Sequence, residues 1–206
     1  ASDVYKRQHY TGLEELIDAG HYPSGEYRGH KSDVWEGGHR VPYLVRWPGK
    51  VEAGSENHHI VGLNDTFATV AEILGQELPY TAAEDSLSFH DLLVSNASTP
   101  SRHQIVVQST HGEFGFLEGP WKIVFRNQGM LNDSRGKPTQ IELYNLDRDI
   151  SETTNIAASH PEIVQRLTQN LETVINRGTS RPGPVQSNDT SIDIHHTQTE
   201  RWGPVL

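Results

Sequence analysis

The sequence predicts an α/β chain in two parts: the closing elements of a layered α/β domain, then a small antiparallel sheet covered by one helix. Three observations carry this. Residues 41–47 (Val-Pro-Tyr-Leu-Val-Arg-Trp) are a strongly apolar run followed by an amphipathic helical stretch, the strand–loop–helix order of an α/β layer. Four short segments between 104 and 146 are rich in β-branched and aromatic residues and are separated by turn residues. Residues 161–178 then repeat apolar positions with the period of a helix.

Along the chain, residues 12–19 read as a short helix with Leu13, Leu16 and Ile17 on one face and Gly20 as its stop. A polar loop rich in Gly and His runs from 20 to 39. Residues 41–47 read as a buried strand ended by the Pro48-Gly49 turn. Asn64 or Asp65 caps a helix to Leu74, with Leu63, Phe67, Val70, Ala71 and Leu74 as its buried stripe and Gly75 as its stop. Residues 86–94 read as one more short helix. Strands follow at 104–109, 113–117, 121–126 and 140–146, with Glu118-Gly119-Pro120 as a hairpin connection. Pro161 opens the closing helix, Ile163, Val164, Leu167, Leu171, Val174 and Ile175 line its inner face, and Gly178 ends it. The chain beyond 179 is polar and rich in Pro and Gly, an extended tail.

Bulk composition removes several function classes. The formal net charge of the 206-residue chain is -10, which disfavours a nucleic-acid or membrane-surface partner because polyanions require a basic face. There are no cysteines, so disulfide scaffolds and thiolate metal sites are excluded. No apolar run reaches membrane-spanning length. The chain opens without Met, and its only Met is Met130. Residues Asp3 to Gln8 are what GATGTGTATAAGAGACAG encodes, the end of a transposon adapter used to prepare sequencing libraries. Residues 1–8 are accordingly expected to be a library scar on a truncated gene, and Asp3 and His9 receive no role.

The chemically informative stretch is 27–42, Tyr-Arg-Gly-His-Lys-Ser-Asp-Val-Trp-Glu-Gly-Gly-His-Arg-Val-Pro. It gathers cations and glycines just before an apolar run, where α/β folds keep their sites. Lys31 supplies a point charge, and Arg28 or Arg40 a forked donor, for an anion. Composition alone leaves an anion site and a solvated loop with an Arg paired to Glu36 equally open.

The ordered motifs in this chain resemble the C-terminal part of type I sulfatases, which use a formylglycine nucleophile. They are Gly29-His30-Lys31, Glu36-Gly37-Gly38-His39-Arg40-Val41-Pro42, Trp47-Pro48-Gly49, Leu63-Asn64-Asp65-Thr66, Glu118-Gly119-Pro120-Trp121-Lys122, Leu143-Tyr144-Asn145-Leu146, Glu152-Thr153-Thr154-Asn155 and His160-Pro161-Glu162. The resemblance covers roughly residues 10–185 and implies an alkaline-phosphatase-like α/β fold. On it, residues 9–98 form the C-terminal part of the mixed-sheet domain, 99–178 a small subdomain with an antiparallel sheet and one helix, and 179–206 the tail. It implies hydrolysis of a sulfate ester, an aryl sulfate or a sulfated carbohydrate. It also implies a Ca2+ ion whose Asp and Asn ligands, like the nucleophile, lie upstream of this chain, and export to a periplasm or beyond. Ser2-Asp3 matches half of the family's Ser-Asp-Asn-Gly metal stretch, but Val4 stands where Asn belongs, so no metal ligand is assigned here.

Lys31 matches the family lysine that contacts the sulfate and the leaving-group oxygen; a fixed cation beside developing negative charge lowers a barrier. His30, His39, Arg28 and His111, the last between two predicted strands, are candidate substrate contacts. Glu36 and Arg40 are expected to form an ion pair fixing the loop, and Gly37 and Gly38 to supply backbone angles closed to other residues. His58-His59 is set aside as a metal pair because neighbours on an extended chain point to opposite faces. Asn96-Ala97-Ser98 and Asn188-Asp189-Thr190 fit the glycosylation pattern and are expected to be idle. The chain alone is expected to be inactive and to fold poorly, since the strand at 41–47 needs partners. Two other functions stay open: a phosphatase or phosphonate hydrolase of the same fold, and a non-catalytic relative that binds sulfated glycans.

Overall fold

Strands β1 (Gln104–Gln108), β2 (Phe114–Glu118), β3 (Trp121–Arg126) and β4 (Gln140–Asn145) form one antiparallel meander in that order. The computed structural model describes residues 12–94, 99–126 and 139–195. The expected adapter scar, the Asn96 glycosylation pattern and the end of the tail lie outside them. Gly119-Pro120 makes the tight β2–β3 turn, pairing Glu118 with Trp121; Gly119 sits at φ 57, which suits a residue without Cβ.

Alternation along β3 assigns each face of the sheet. Ile123 and Phe125 join Phe114, Phe116 and Leu143 on one face, against Leu167 and Leu171 of helix α5 (Pro161–Arg177). Pro161 stands in the first turn of α5, and Gly178 closes it at φ 60. Lys122 and Val124 take the opposite face with Tyr144 and Val34. This unit matches the expected four strands and the closing helix closely.

Elsewhere the structure differs from the expectation. Residues 41–47 form no strand, and Leu44 is 92% exposed. A strand needs a neighbour for its backbone ladder, and no strand among the described residues pairs with this segment. Helix α3 (Asp65–Ile73) exists and buries Ala71 as expected, but the rest of the expected stripe faces outward. Asp65, Ala68, Thr69 and Ala71 are buried, while Leu63, Phe67, Val70 and Leu74 are exposed. The inward face is chosen by polar bonds: Thr69 Oγ1 accepts from Phe89 N, Ser86 Oγ accepts from Ala68 N, and Asp65 holds Leu87 N and the Arg102 guanidinium. Asn64, at the helix start, makes no side-chain cap. Leu16 and Ile17 of α1 (Leu13–Asp18) are likewise exposed. Of residues 86–94 only α4 (His90–Val94) is helical.

Residues 179–195 contain no helix or strand but lie against the rest of the chain. Thr179 Oγ1 donates to Glu84 O, Arg181 Nη1 donates to Ala82 O, and Ile194 is buried among the residues of the α5 core.

Candidate functional site

The face of the sheet away from α5 carries the loop that contains Lys31. Val34 is fully buried there against Val124 and Tyr144. Gly115 in β2 makes room for it: a Cβ at Gly115 would lie 3.1 Å from Val34 Cγ2 and 2.8 Å from Val107 Cγ2. Beyond Val34, the chain makes a single helical turn, α2 (Glu36–His39).

A buried ion cluster fastens α2 to the sheet. Lys122 Nζ, with no exposed surface, lies 2.9 Å from Glu36 Oε1 and 2.9 Å from Glu152 Oε1, and 3.1 Å from His39 Nε2. The Glu36 backbone N–H donates to Glu152 Oε2 at 2.7 Å. Arg40 Nη1 reaches Glu36 Oε2 at 3.3 Å, the ion pair expected from the sequence. Burial works to raise the Glu36 pKa, but Lys122, by charge and by hydrogen bond, brings it below the usual carboxylate value. Burial raises that of Glu152, which Lys122 only partly offsets. His39 is pushed down to about 4 by burial and then by the Lys122 charge, so it is neutral at ordinary pH and accepts from Lys122.

The loop glycines serve close approach, which corrects one expectation. Gly37 and Gly38 do not have positive φ; a Cβ on Gly37 would run into the Gly29 and Arg28 carbonyl oxygens, and one on Gly38 into that of Asp33. Near Lys31, Gly29, at φ 78, is used for its backbone angle. Ser32, beside Lys31, takes φ 94, a strained value for a residue with a side chain.

The sequence-selected residues fall into two groups. Lys31 is exposed on the outer turn of the loop. His30 sits next to it, its Nδ1 3.2 Å from Asp33 Oδ2. The turn bearing His111 meets them: Thr110 N donates to Ser32 O at 3.0 Å, and Ser109 Oγ accepts from His111 N and Glu113 N. Lys31, His30 and His111 thus belong to one surface region. Arg28 and His39 are turned inward. Arg28 Nη1 donates to Tyr144 Oη at 2.8 Å and to Glu152 O at 3.1 Å, and its guanidinium stacks 4.0 Å over Trp35. His58 and His59 both border a groove lined also by His103, Trp121 and Arg166.

Sequence reasoning missed Lys122, Glu142, Tyr144 and Glu152 as parts of this frame. The available signal was Lys122: a lysine alternating with apolar residues in a strand that has something packed on both sides needs a buried counter-charge. Trp35 Nε1 and Tyr144 Oη both donate to Glu142, which also pairs with Arg126.

Among the described residues, one group of three side chains could converge on a metal ion, Glu72, His90 and Asp91. It lies on α3 and α4, apart from the Lys31 loop in the chain, and its two carboxylates and one imidazole do not make the oxygen cage that Ca2+ takes. The residues present therefore do not fit the calcium site that the resemblance implies, and no step is routed through it.

The chain belongs to the sulfatase family, as its similarity to a curated relative over most of its length shows. Residues 9–76 match the family model described as Sulfatase. The chain is 36% identical over 180 residues to an N-acetylgalactosamine-6-O-sulfatase of Bacteroides thetaiotaomicron, covering 85% of this chain and 34% of that protein. A solved structure from glycosaminoglycan metabolism by Bacteroides thetaiotaomicron superposes with TM-score 0.69 at 33% identity, over 80% of this chain and 35% of the other. A sulfatase from Pseudoalteromonas sp. shares the fold at TM-score 0.60 and 22% identity, over 72% of this chain and 32% of the other. The fold is the alkaline-phosphatase-like fold of these sulfatases, to which the described residues contribute the four-stranded antiparallel sheet and its helices. The chain spans about a third of the length of these relatives. No helix among the described residues is long and apolar enough to cross a membrane.

Proposed function

We propose that this chain is the C-terminal part of an exported hydrolase that cleaves a sulfate ester on a carbohydrate, and that its contribution to the reaction is the Lys31 loop. The observation that carries this is the exposed Lys31 on a loop whose surroundings are pinned by buried ion pairs. Lys31 supplies a fixed positive charge to the sulfate and to the leaving oxygen as the S–O bond breaks. His30 and His111 border the same surface and contact the sugar. Arg28 and His39 hold the loop, because Arg28 Nη1 donates to Tyr144 and Glu152 and His39 Nε2 accepts from Lys122. The similarity to an N-acetylgalactosamine-6-O-sulfatase favours a sulfated sugar over a simple aryl sulfate. The formylglycine nucleophile and the Asp and Asn ligands of calcium belong to a preceding part of the protein, so the 206-residue chain by itself has no turnover.

Reading the source DNA upstream of residue 9 tests the first half of this. A Cys/Ser-x-Pro/Ala-x-Arg motif and a Ser-Asp-Asn-Gly stretch are expected; a different nucleophile, or none, points instead to the phosphatase or the binding-only relative. In the complete enzyme, Lys31→Ala lowers kcat by roughly 10²-fold or more with the fold intact. Near-normal turnover in that variant refutes the role of Lys31.

A further inference from the structure

Glu152 touches the Lys31 loop at both of its ends. Its backbone carbonyl accepts from Arg28 Nη1 at 3.1 Å, three residues before Lys31. Its carboxylate accepts from the Glu36 N–H at 2.7 Å, five residues after Lys31, while the other oxygen lies 2.9 Å from Lys122 Nζ. The two ends also meet each other, since Gly37 N donates to Arg28 O at 2.8 Å. Glu152 has no exposed surface, so it cannot itself meet a substrate.

The chain spends conformational energy to place it. Glu152 adopts φ 50, unfavourable for a residue with a Cβ. Asp149 builds the turn that holds it there: its backbone carbonyl accepts from Glu152 N at 3.1 Å, and its carboxylate accepts from Thr153 N at 3.0 Å and Thr154 N at 2.9 Å. A strained, buried carboxylate aimed at the backbone N–H of a distant loop is an expensive way to build a surface turn unless the position of that loop matters.

We infer that Glu152 is a positioning residue for the sulfate-ester reaction, a clasp that closes the Lys31 loop and fixes where its ammonium stands. This rests on the assignment of Lys31 given above. The charge pattern separates clasping from mere stability. Lys122 faces two carboxylates, so removing the charge of Glu152 still leaves it paired with Glu36. Glu152→Gln keeps an oxygen to accept from Glu36 N–H; Glu152→Ala does not.

The test uses the complete enzyme, with steady-state kinetics and hydrogen exchange of peptides covering residues 27–40. Glu152→Ala is expected to lower kcat by about 10- to 100-fold, the cost of misplacing a reacting group by about 1 Å, with KM changed little. The same variant speeds exchange in 27–40 by about tenfold and leaves the β2–β3 ladder unchanged. Glu152→Gln restores both to near wild type. Should Glu152→Ala fail to fold, Glu152→Asp keeps the charge for Lys122 but withdraws the carboxylate from Glu36, and is expected to loosen the loop and lower kcat. Wild-type kcat in folded Glu152→Ala or Glu152→Asp overturns the proposal, as does Glu152→Gln being as impaired as Glu152→Ala. If Lys31→Ala is silent, the assignment of Lys31 fails, and the exchange data still decide whether Glu152 clasps the loop.

Discussion

In the four-stranded sheet, Phe116, Ile123, Phe125 and Leu143 have no exposed surface, covered by α5, and Val124 and Tyr144 are covered by Val34 from the other side. In residues 41–74 the apolar side chains of Leu44, Phe67, Val70 and Leu74 face outward. The sheet is a meander with short connections, and its covering helix follows directly, so the larger apolar face finds its partner nearby in sequence, while the other is covered from as far away as Val34. The run at 41–47 and the outer stripe of α3 need a neighbour from elsewhere, which is the signature of an element that belongs to a larger layer. The Lys31 loop precedes both regions in the chain and takes its order from the sheet, through Val34, Glu36 and Trp35.

That contrast can be broken most severely at Lys122. Lys122→Met leaves Glu152 buried without its counter-charge and Glu36 with only the partly exposed Arg40, and is expected to destabilise the sheet unit by about 3–5 kcal/mol in chemical denaturation. A loss below about 1 kcal/mol would mean the cluster is wetter than its geometry indicates. Leu171→Ala, beneath the sheet, should cost about 3 kcal/mol by the same measurement, as expected for a buried leucine.

A smaller effect follows from pH. His39 is held neutral down to about pH 4 in the folded chain, whereas a free histidine protonates near 6.5. The unfolded chain therefore binds the extra proton first, and stability present above about pH 6.5 is lost as pH falls toward 4. Glu36, with its lowered pKa, adds to the loss at the acid end, and Glu152, with its raised pKa, opposes it. Melting temperature followed across this range should fall in the wild type and fall less in His39→Gln; parallel curves would remove His39 from the account. The smallest effect is expected at Leu44, where Leu44→Ser should change the stability of the chain by no more than about 0.5 kcal/mol.

Legibility in the sequence followed the same division. The strands at 104–145 and α5 announce themselves because alternation, turn residues, Pro161 and Gly178 all agree with the structure that forms. The inward face of α3 was not legible. Apolar periodicity pointed to Phe67 and Val70, but Asp65, Thr69 and Ser86 settle the orientation through bonds to residues about 20 positions away or more. Lys31, His30 and His111 could be selected from the chain, but that the turn at 109–112 meets the loop at Ser32 could not. The ion pair of Glu36 with Arg40 was visible from their spacing, while Lys122 and Glu152, more than 80 residues away, carry the stronger part of the same cluster. Gly37 and Gly38 were recognisable as necessary, for a reason only packing reveals.

The central claim is that the sheet unit is an ordered scaffold holding the Lys31 loop, while residues 41–74 wait for a partner outside the described residues. Hydrogen exchange on the 206-residue chain tests it most directly. The account predicts slow exchange in residues 114–126, 140–145 and 163–177, intermediate protection at Glu36 and Gly37, and rapid exchange through 41–47. Equal protection of 41–47 and the sheet, or rapid exchange throughout 104–177, would contradict it.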